Sequence, residues 1–219
     1  MTAPFIVHLS AALAVVPLFA AQEIGGTVEV LPLIQFADVP LNDAVRVLAR
    51  QARLNCIFDP TLSGSSTGPQ GDRVREPLVT RRWEKVTARQ ALDALLKDHK
   101  LLMVENPATT VARIVSKDRP VQPVTTSQVG SDTNGVIPVI QMEDVPLVEA
   151  ISQLATQAHL KVVLDRRLSA LSPKPEVTFR WEKITARQAL AALLDNYDLV
   201  MIVDSGSSTN RITLKKEID

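Results

Sequence analysis

One cysteine, Cys56, stands in the 219-residue chain. A single cysteine excludes an intramolecular disulfide, so the fold does not depend on an oxidising compartment. Its place in the apolar run LNCIF gives it the character of a small hydrophobe and not of a reactive thiol. Histidine is almost as scarce. His8, His99 and His159 are the only three, and no HxxE, HExxH or Cys/His cluster accompanies them, so no metal site is expected. The chain also lacks net charge, with 24 Lys and Arg against 24 Asp and Glu. The balance holds locally, at 13 basic to 12 acidic residues in 23–118 and 10 to 11 in 136–219. No basic excess exists to bind a phosphate backbone by counterion release, so nucleic acid is not an expected partner. Also missing are GxGxxG, GxxxxGK(S/T) and GxSxG, and with them any signal for a phosphate cradle, a dinucleotide cofactor or a nucleophile elbow.

What is present is a globular composition, 46% hydrophobic, with length enough for one medium domain or two small ones. The first 22 residues carry no charge, and Ile6 to Ala21 is almost entirely apolar. The run is short for a membrane span. It fits the apolar core of a secretory signal peptide over 1–21, ending in the small residues Ala20 and Ala21, although the usual basic residue before the core is missing. The competing reading is a buried N-terminal helix. No cysteine follows the run, so a lipid anchor on a processed cysteine is not expected.

The rest of the chain says one thing twice. RWEKVTARQALDALL, from Arg82, and RWEKITARQALAALL, from Arg180, differ at two of fifteen positions. Upstream, PLIQFADVPLNDAVRVLARQARLNCIFDPTL, from Pro32, aligns with PVIQMEDVPLVEAISQLATQAHLKVVLDRRL, from Pro138. The offset is 106 residues there and 98 at Trp83 and Trp181. The first repeat absorbs the difference in SGSSTGPQGDRVREP, a Gly/Ser/Pro-rich surface loop. We therefore expect two small domains, 23–118 and 136–219, able to fold separately. Residues 119–135, rich in Pro, Ser, Thr and Gly, should form a flexible linker.

Periodicity predicts the elements. Leu33 to Ala37 is a short candidate strand. Leu41, Ala44, Val45, Leu48, Ala49 and Ala52 form one apolar helix face, and Leu147, Ala150, Ile151, Leu154, Ala155 and Ala158 repeat it. Asp38 and Pro40, like Asp144 and Pro146, suit a first helical turn. LNCIFD and LKVVLD read as strands, followed by LVTRRW and EVTFRW. Thr87 to Gln90 and Thr185 to Gln188 match the capping box that opens a second helix. A hairpin closes each repeat. The expected fold class is α+β: strand, helix, strand, strand, helix, hairpin, twice, with helices packed between small sheets. Trp83 and Trp181 should be buried where strand turns into helix, the alternative being an exposed stacking platform.

Candidate chemistry is thin. Glu84 and Glu182 recur in the WEK phrase and could pair as the two carboxylates of a glycosidase. Each repeat supplies only one, however, and an acid just before a helix has an electrostatic reason to be there. The one polar feature that separates the repeats is Arg46, Arg50 and Arg53, at i, i+4 and i+7 off the apolar stripe, where the second repeat has Ser152, Thr156 and His159. These arginines are the candidate partner-binding residues, a docking face for an acidic partner. The plainer reading is a solvated helix face.

DVPLNDAVRVLARQARLNCIFDP, with VTARQALDALLKDHKLLM after it, resembles the short N-terminal domain shared by secretins and TonB-dependent receptors (the STN type). The order and spacing agree in both repeats. The departures are Arg53 and His159 where the family often has glycine, and Lys100 and Asp198 at the corresponding place after the second helix. They bear on turn geometry and not on the fold. The resemblance implies a periplasmic, non-enzymatic docking module with protein partners in the bacterial envelope, in secretion, pilus or receptor machinery. It also implies association with a secretin or a ring-like homo-oligomer. With no barrel-forming region after the second repeat, the chain is expected to be an adaptor or a fragment of a secretin, and not itself a pore. The alternative is an envelope ligand-binding protein or enzyme that uses the cleft between the domains.

Overall fold

The computed structural model of the chain describes residues 29–62, 76–118, 135–169, 174–203 and 209–215. The predicted signal peptide, most of the long loop of the first repeat and the predicted linker, apart from Gly135, lie outside the described residues. The fold is α+β. The first repeat runs β1 (Val30–Pro40), α1 (Leu41–Gln51), β2 (Asn55–Phe58), β3 (Leu78–Thr87), α2 (Ala88–Asp98), β4 (Leu101–Asn106) and β5 (Val111–Ser116). The second runs β6 (Ile137–Pro146), α3 (Leu147–Gln157), β7 (Val162–Leu164), α4 (Arg166–Ser169), β8 (Glu176–Ile184), α5 (Ala186–Asn196), β9 (Leu199–Val203) and β10 (Asn210–Leu214).

Each repeat builds an antiparallel pair, β1–β3 or β6–β8, and a three-stranded sheet, β2-β5-β4 or β7-β10-β9. In the triple sheet the central strand pairs parallel on one side and antiparallel on the other. The two long helices of a repeat pack on each other and touch strands of both sheets, so the helices lie between them. The faces are those the periodicity predicts. α1 buries Leu41, Ala44, Val45, Leu48 and Ala49, and α3 buries the five residues that match them. Both capping boxes form. Thr87 Oγ1 accepts from the Gln90 N–H at 3.1 Å while Gln90 Oε1 accepts from the Thr87 N–H at 3.0 Å, and Thr185 and Gln188 do the same. These two pairs satisfy N–H groups that the first helical turn leaves without partners.

Three local features depart from the sequence reading. Asp38 and Asp144 are not in a first helical turn. They sit in β-bulges with φ of 52° and 51°, and each is locked to the opposite strand by a threonine. Thr80 Oγ1 accepts from the Asp38 N–H and donates to Asp38 Oδ1, as Thr178 does with Asp144. The first-turn acids are Asp43 and Glu149. Second, Arg53, His159, Lys100 and Asp198 keep the left-handed conformation that glycine favours, with φ between 53° and 56°. The N–H groups of Arg53 and Leu54 reach back to Arg50 and Ala49, a two-bond helix end that needs this conformation whichever residue supplies it. Third, the second repeat gains the single helical turn α4, which tucks Leu168 into the core.

Two apolar clusters form, and the second crosses the repeat boundary. Its members include Trp181, Ile184, Leu190 and Leu193, but also Ile57 and Val111 of the first repeat. The reason lies in β2. Cys56 and Phe58 point toward the cluster of their own repeat. By the two-residue alternation of a strand, Asn55 and Ile57 then face the other way, onto the second repeat. Ile57 is 6% exposed, whereas its counterpart Val163 in β7 is 53% exposed. The tryptophans differ for the same reason. Trp181 is fully buried, stacked on Phe179 at 3.8 Å, and its indole N–H donates to the Cys56 carbonyl at 2.9 Å. Trp83 is half-buried and meets Phe36 edge-on.

Candidate docking cleft between the repeats

Polar contacts define how the repeats meet. The Asn55 side-chain amide pairs with the backbone of Glu182, accepting from its N–H at 2.8 Å and donating to its carbonyl at 3.0 Å. The buried Asn196 amide donates to the Phe58 carbonyl at 3.0 Å. Arg113 is held between the repeats. One guanidinium nitrogen donates to the fully buried Asp59 at 3.2 Å, and another to the Asp195 carbonyl at 3.2 Å. Burial raises the Asp195 carboxyl above its ordinary value, against the opposing pull of Arg113 and Lys215.

Beside this junction lies a cleft of about 790 Å³, walled by α1 and β2 of the first repeat and by β8 of the second. Phe58, Phe179 and Cys56 supply apolar lining. Burial pushes the Cys56 thiol up to about 11 despite the nearby Arg46, so at neutral pH it carries no thiolate. The charged lining is lopsided: Arg46, Arg50, Arg53, Arg180 and Lys183 against Asp43 and Glu182. Both acids are already engaged. Asp43 pairs with Arg46 at 3.5 Å, and Glu182 with Arg180 at 3.3 Å. Among the described residues Arg50, Arg53 and Lys183 have no acidic partner, and all three are exposed. Arg46 is steadied further by lying 5.9 Å over the Phe58 ring.

The three arginines singled out from the sequence therefore line one wall of a cleft, but only Arg46 and Arg50 stand on α1; Arg53 lies in the left-handed turn after the helix ends and not at its i+7 position. Sequence spacing could not show the opposite wall, because Arg180 and Lys183 approach only through the junction of the repeats. Glu84 and Glu182 are not brought together there. Glu182 lines the cleft, whereas Glu84 pairs with Arg82 in the first repeat and is not part of the lining. Arg53, Thr110 and Lys183 all line the cleft with positive φ. Arg53 and Lys183 have repeat-mates, His159 and Lys85, with the same conformation elsewhere, so the strain at these two belongs to the fold and not to the site. Among the described residues no group of three or more His, Cys, Asp or Glu is placed to hold a metal ion, and no helix is long and apolar enough to cross a membrane. No protein-family model matches the chain, and a search of curated proteins finds no match either.

Proposed function

We propose that the chain is a non-enzymatic docking module of the secretin short-domain type, exported to the bacterial periplasm, which grips an acidic segment of an envelope protein in the cleft between its repeats. The observation that carries this reading is the charge of the cleft, five basic side chains against two acids that are already paired, with Arg50 and Arg53 free to meet carboxylates. Arginine suits the task, because its planar fork meets a carboxylate with two parallel hydrogen bonds. The family assignment and the periplasmic location rest on the sequence resemblance and the N-terminal apolar run.

The test is a binding titration of the partner recovered by co-purification from an envelope extract, at low and high salt, with wild type and with Arg46, Arg50 and Arg53 changed together to serine. Surface substitutions of this kind alter stability by only about 0.5 kcal/mol each. The triple variant should melt normally, bind more weakly and lose most of its salt dependence, since charges at an interface rim govern encounter. Equal affinity at both salts, or recovery of cytoplasmic proteins alone, would overturn the reading. For export, N-terminal sequencing of the envelope protein should give a start near Ala21 to Glu23. An intact Met1 on a cytoplasmic product would overturn that part. The cleft is also in the size range of small-molecule sites, which favours an anionic ligand as the second reading.

A further inference from the structure

We propose that the partner enters this cleft as an extended acidic segment and adds as a strand to the free edge of β8 at Arg180. The inference rests on the docking reading above and specifies the form of the ligand. Among the described residues β8 has a single strand neighbour, β6, and its other edge carries no strand ladder. At Glu182 that edge is already met by a substitute for a strand. The Asn55 primary amide offers one donor and one acceptor, as a peptide unit does, and takes both backbone groups of Glu182. The Val139–Glu182 pair is therefore one whose backbone groups point away from β6. Pairs two residues apart in an antiparallel ladder share this orientation, so the N–H and carbonyl of Arg180, opposite Gln141, face the same free edge. Arg180 lines the cleft.

The opposite wall has matching dimensions. Arg46 and Arg50 are four residues apart on α1, a rise of about 6 Å, and Arg53 follows in the left-handed turn beyond the helix end. Side chains on one face of an added strand recur every ~6.8 Å, so two carboxylates two residues apart fit within the stripe. Phe58 and Phe179 supply apolar surface for side chains of the other face. Strand addition is a general way for a peptide to bind, with the main chain giving affinity and alternate side chains giving specificity. Among the described residues the site occurs once. The corresponding edge of β3, among the described residues, faces no arginine stripe, because that wall is lent to β8 by the first repeat, and α3 carries Ser152 and Thr156 at the equivalent places.

The probe is a labelled peptide alternating glutamate and valine, titrated at low salt against the full chain. Two analogues carry N-methyl groups on alternate peptide nitrogens, one set for each edge of the strand, and dodecanoate serves as a small anionic amphiphile. Strand addition predicts that one methylated analogue binds roughly tenfold or more weakly than the parent. Arg180→Pro deletes an N–H that the β6–β8 ladder does not use, as an edge position tolerates. It should bind the parent peptide roughly tenfold more weakly than Arg180→Ala does, with melting curves alike. The proposal is overturned if both methylated analogues bind like the parent, if Arg180→Pro binds like Arg180→Ala, or if dodecanoate binds and the peptide does not. The methylated analogues decide the matter even if the proline variant fails to fold. If strand addition fails while the triple serine variant still loses the envelope partner, the docking reading survives. If the triple variant keeps that partner, both fall.

Discussion

Truncating Ile57 measures the junction of the repeats, because the chain carries its own control. Ile57 and Val163 hold equivalent positions in β2 and β7, yet one is 6% exposed and the other 53%. Ile57→Ala removes three carbons from a buried position. At about 0.8 kcal/mol per buried methylene-sized group this is about 2.4 kcal/mol, and the cavity left behind brings the expected cost to about 2–4 kcal/mol. Val163→Ala removes two methyl groups that are half in water already, and should cost about 1 kcal/mol or less. The assay is urea unfolding of both variants, followed by tryptophan fluorescence and circular dichroism. Trp181 is a suitable reporter, since its indole N–H is bonded to the residue next to Ile57. The Ile57 variant should also show Trp181 emission shifted to the red, as its cover loosens. Equal costs for the two variants, with unchanged emission, would refute the reasoning, because Ile57 would then be as wet in solution as Val163.

Leu92→Ala and Leu190→Ala each delete a buried helix side chain and should cost about 2–5 kcal/mol by denaturant titration. His159→Gly and Asp198→Gly relieve a left-handed backbone at positions where the side chains are not in the core, and should raise stability by up to about 1 kcal/mol each, seen as a higher melting temperature. Burial raises the Cys56 thiol from 9.0 to about 11, and burial together with Asp59 raises the Tyr197 hydroxyl from 10.0 to about 12. The folded state thus holds protons that the unfolded chain releases at lower pH. Stability contributed by these groups is complete below pH 9 and lost as pH rises toward 12. Denaturation midpoints should fall over that window, and Cys56→Ala should flatten the fall between pH 9 and 11, by an amount on the order of 2 kcal/mol.

Much of a single repeat was legible, because its signals are local. Helix faces, capping boxes and the closing hairpin are each written within a dozen residues. The bulges at Asp38 and Asp144 were not, because an aspartate beside a proline reads equally well as the start of a helix. Only the register against Thr80 and Thr178 distinguishes the two. The junction had one usable trace. The trace is Asn55, where the second repeat has Lys161; the apolar run after it does not discriminate, since Val162, Val163 and Leu164 are as contiguous and apolar as Cys56, Ile57 and Phe58. The arginines, of which Arg46 and Arg50 are on the helix and Arg53 is in the turn after it, were visible as a stripe at helical spacing. The cleft was not, since Arg180 lies 127 residues beyond Arg53 and meets it only through the docked fold.

The junction also has a direction. The first repeat lends its sheet and the second lends its strand edge and helix, and the residues that make this possible have diverged between the two. At the place of Asp195, which lies beside Arg113, the first repeat has Lys97. At the place of Asn196, whose amide donates to a backbone carbonyl, it has Asp98, which has no amide proton to give. On the sheet side Lys161 replaces Asn55, while Arg211 keeps the positive charge of Arg113. Exchanging the order of the repeats would therefore set Arg211 against Lys97 and a carboxylate against a carbonyl oxygen. The same mismatch confronts a second molecule that tries to stack end-on through these surfaces. The two repeats are thus alike in fold but not interchangeable at their junction, because each carries the charge and hydrogen-bonding groups that suit only its own side.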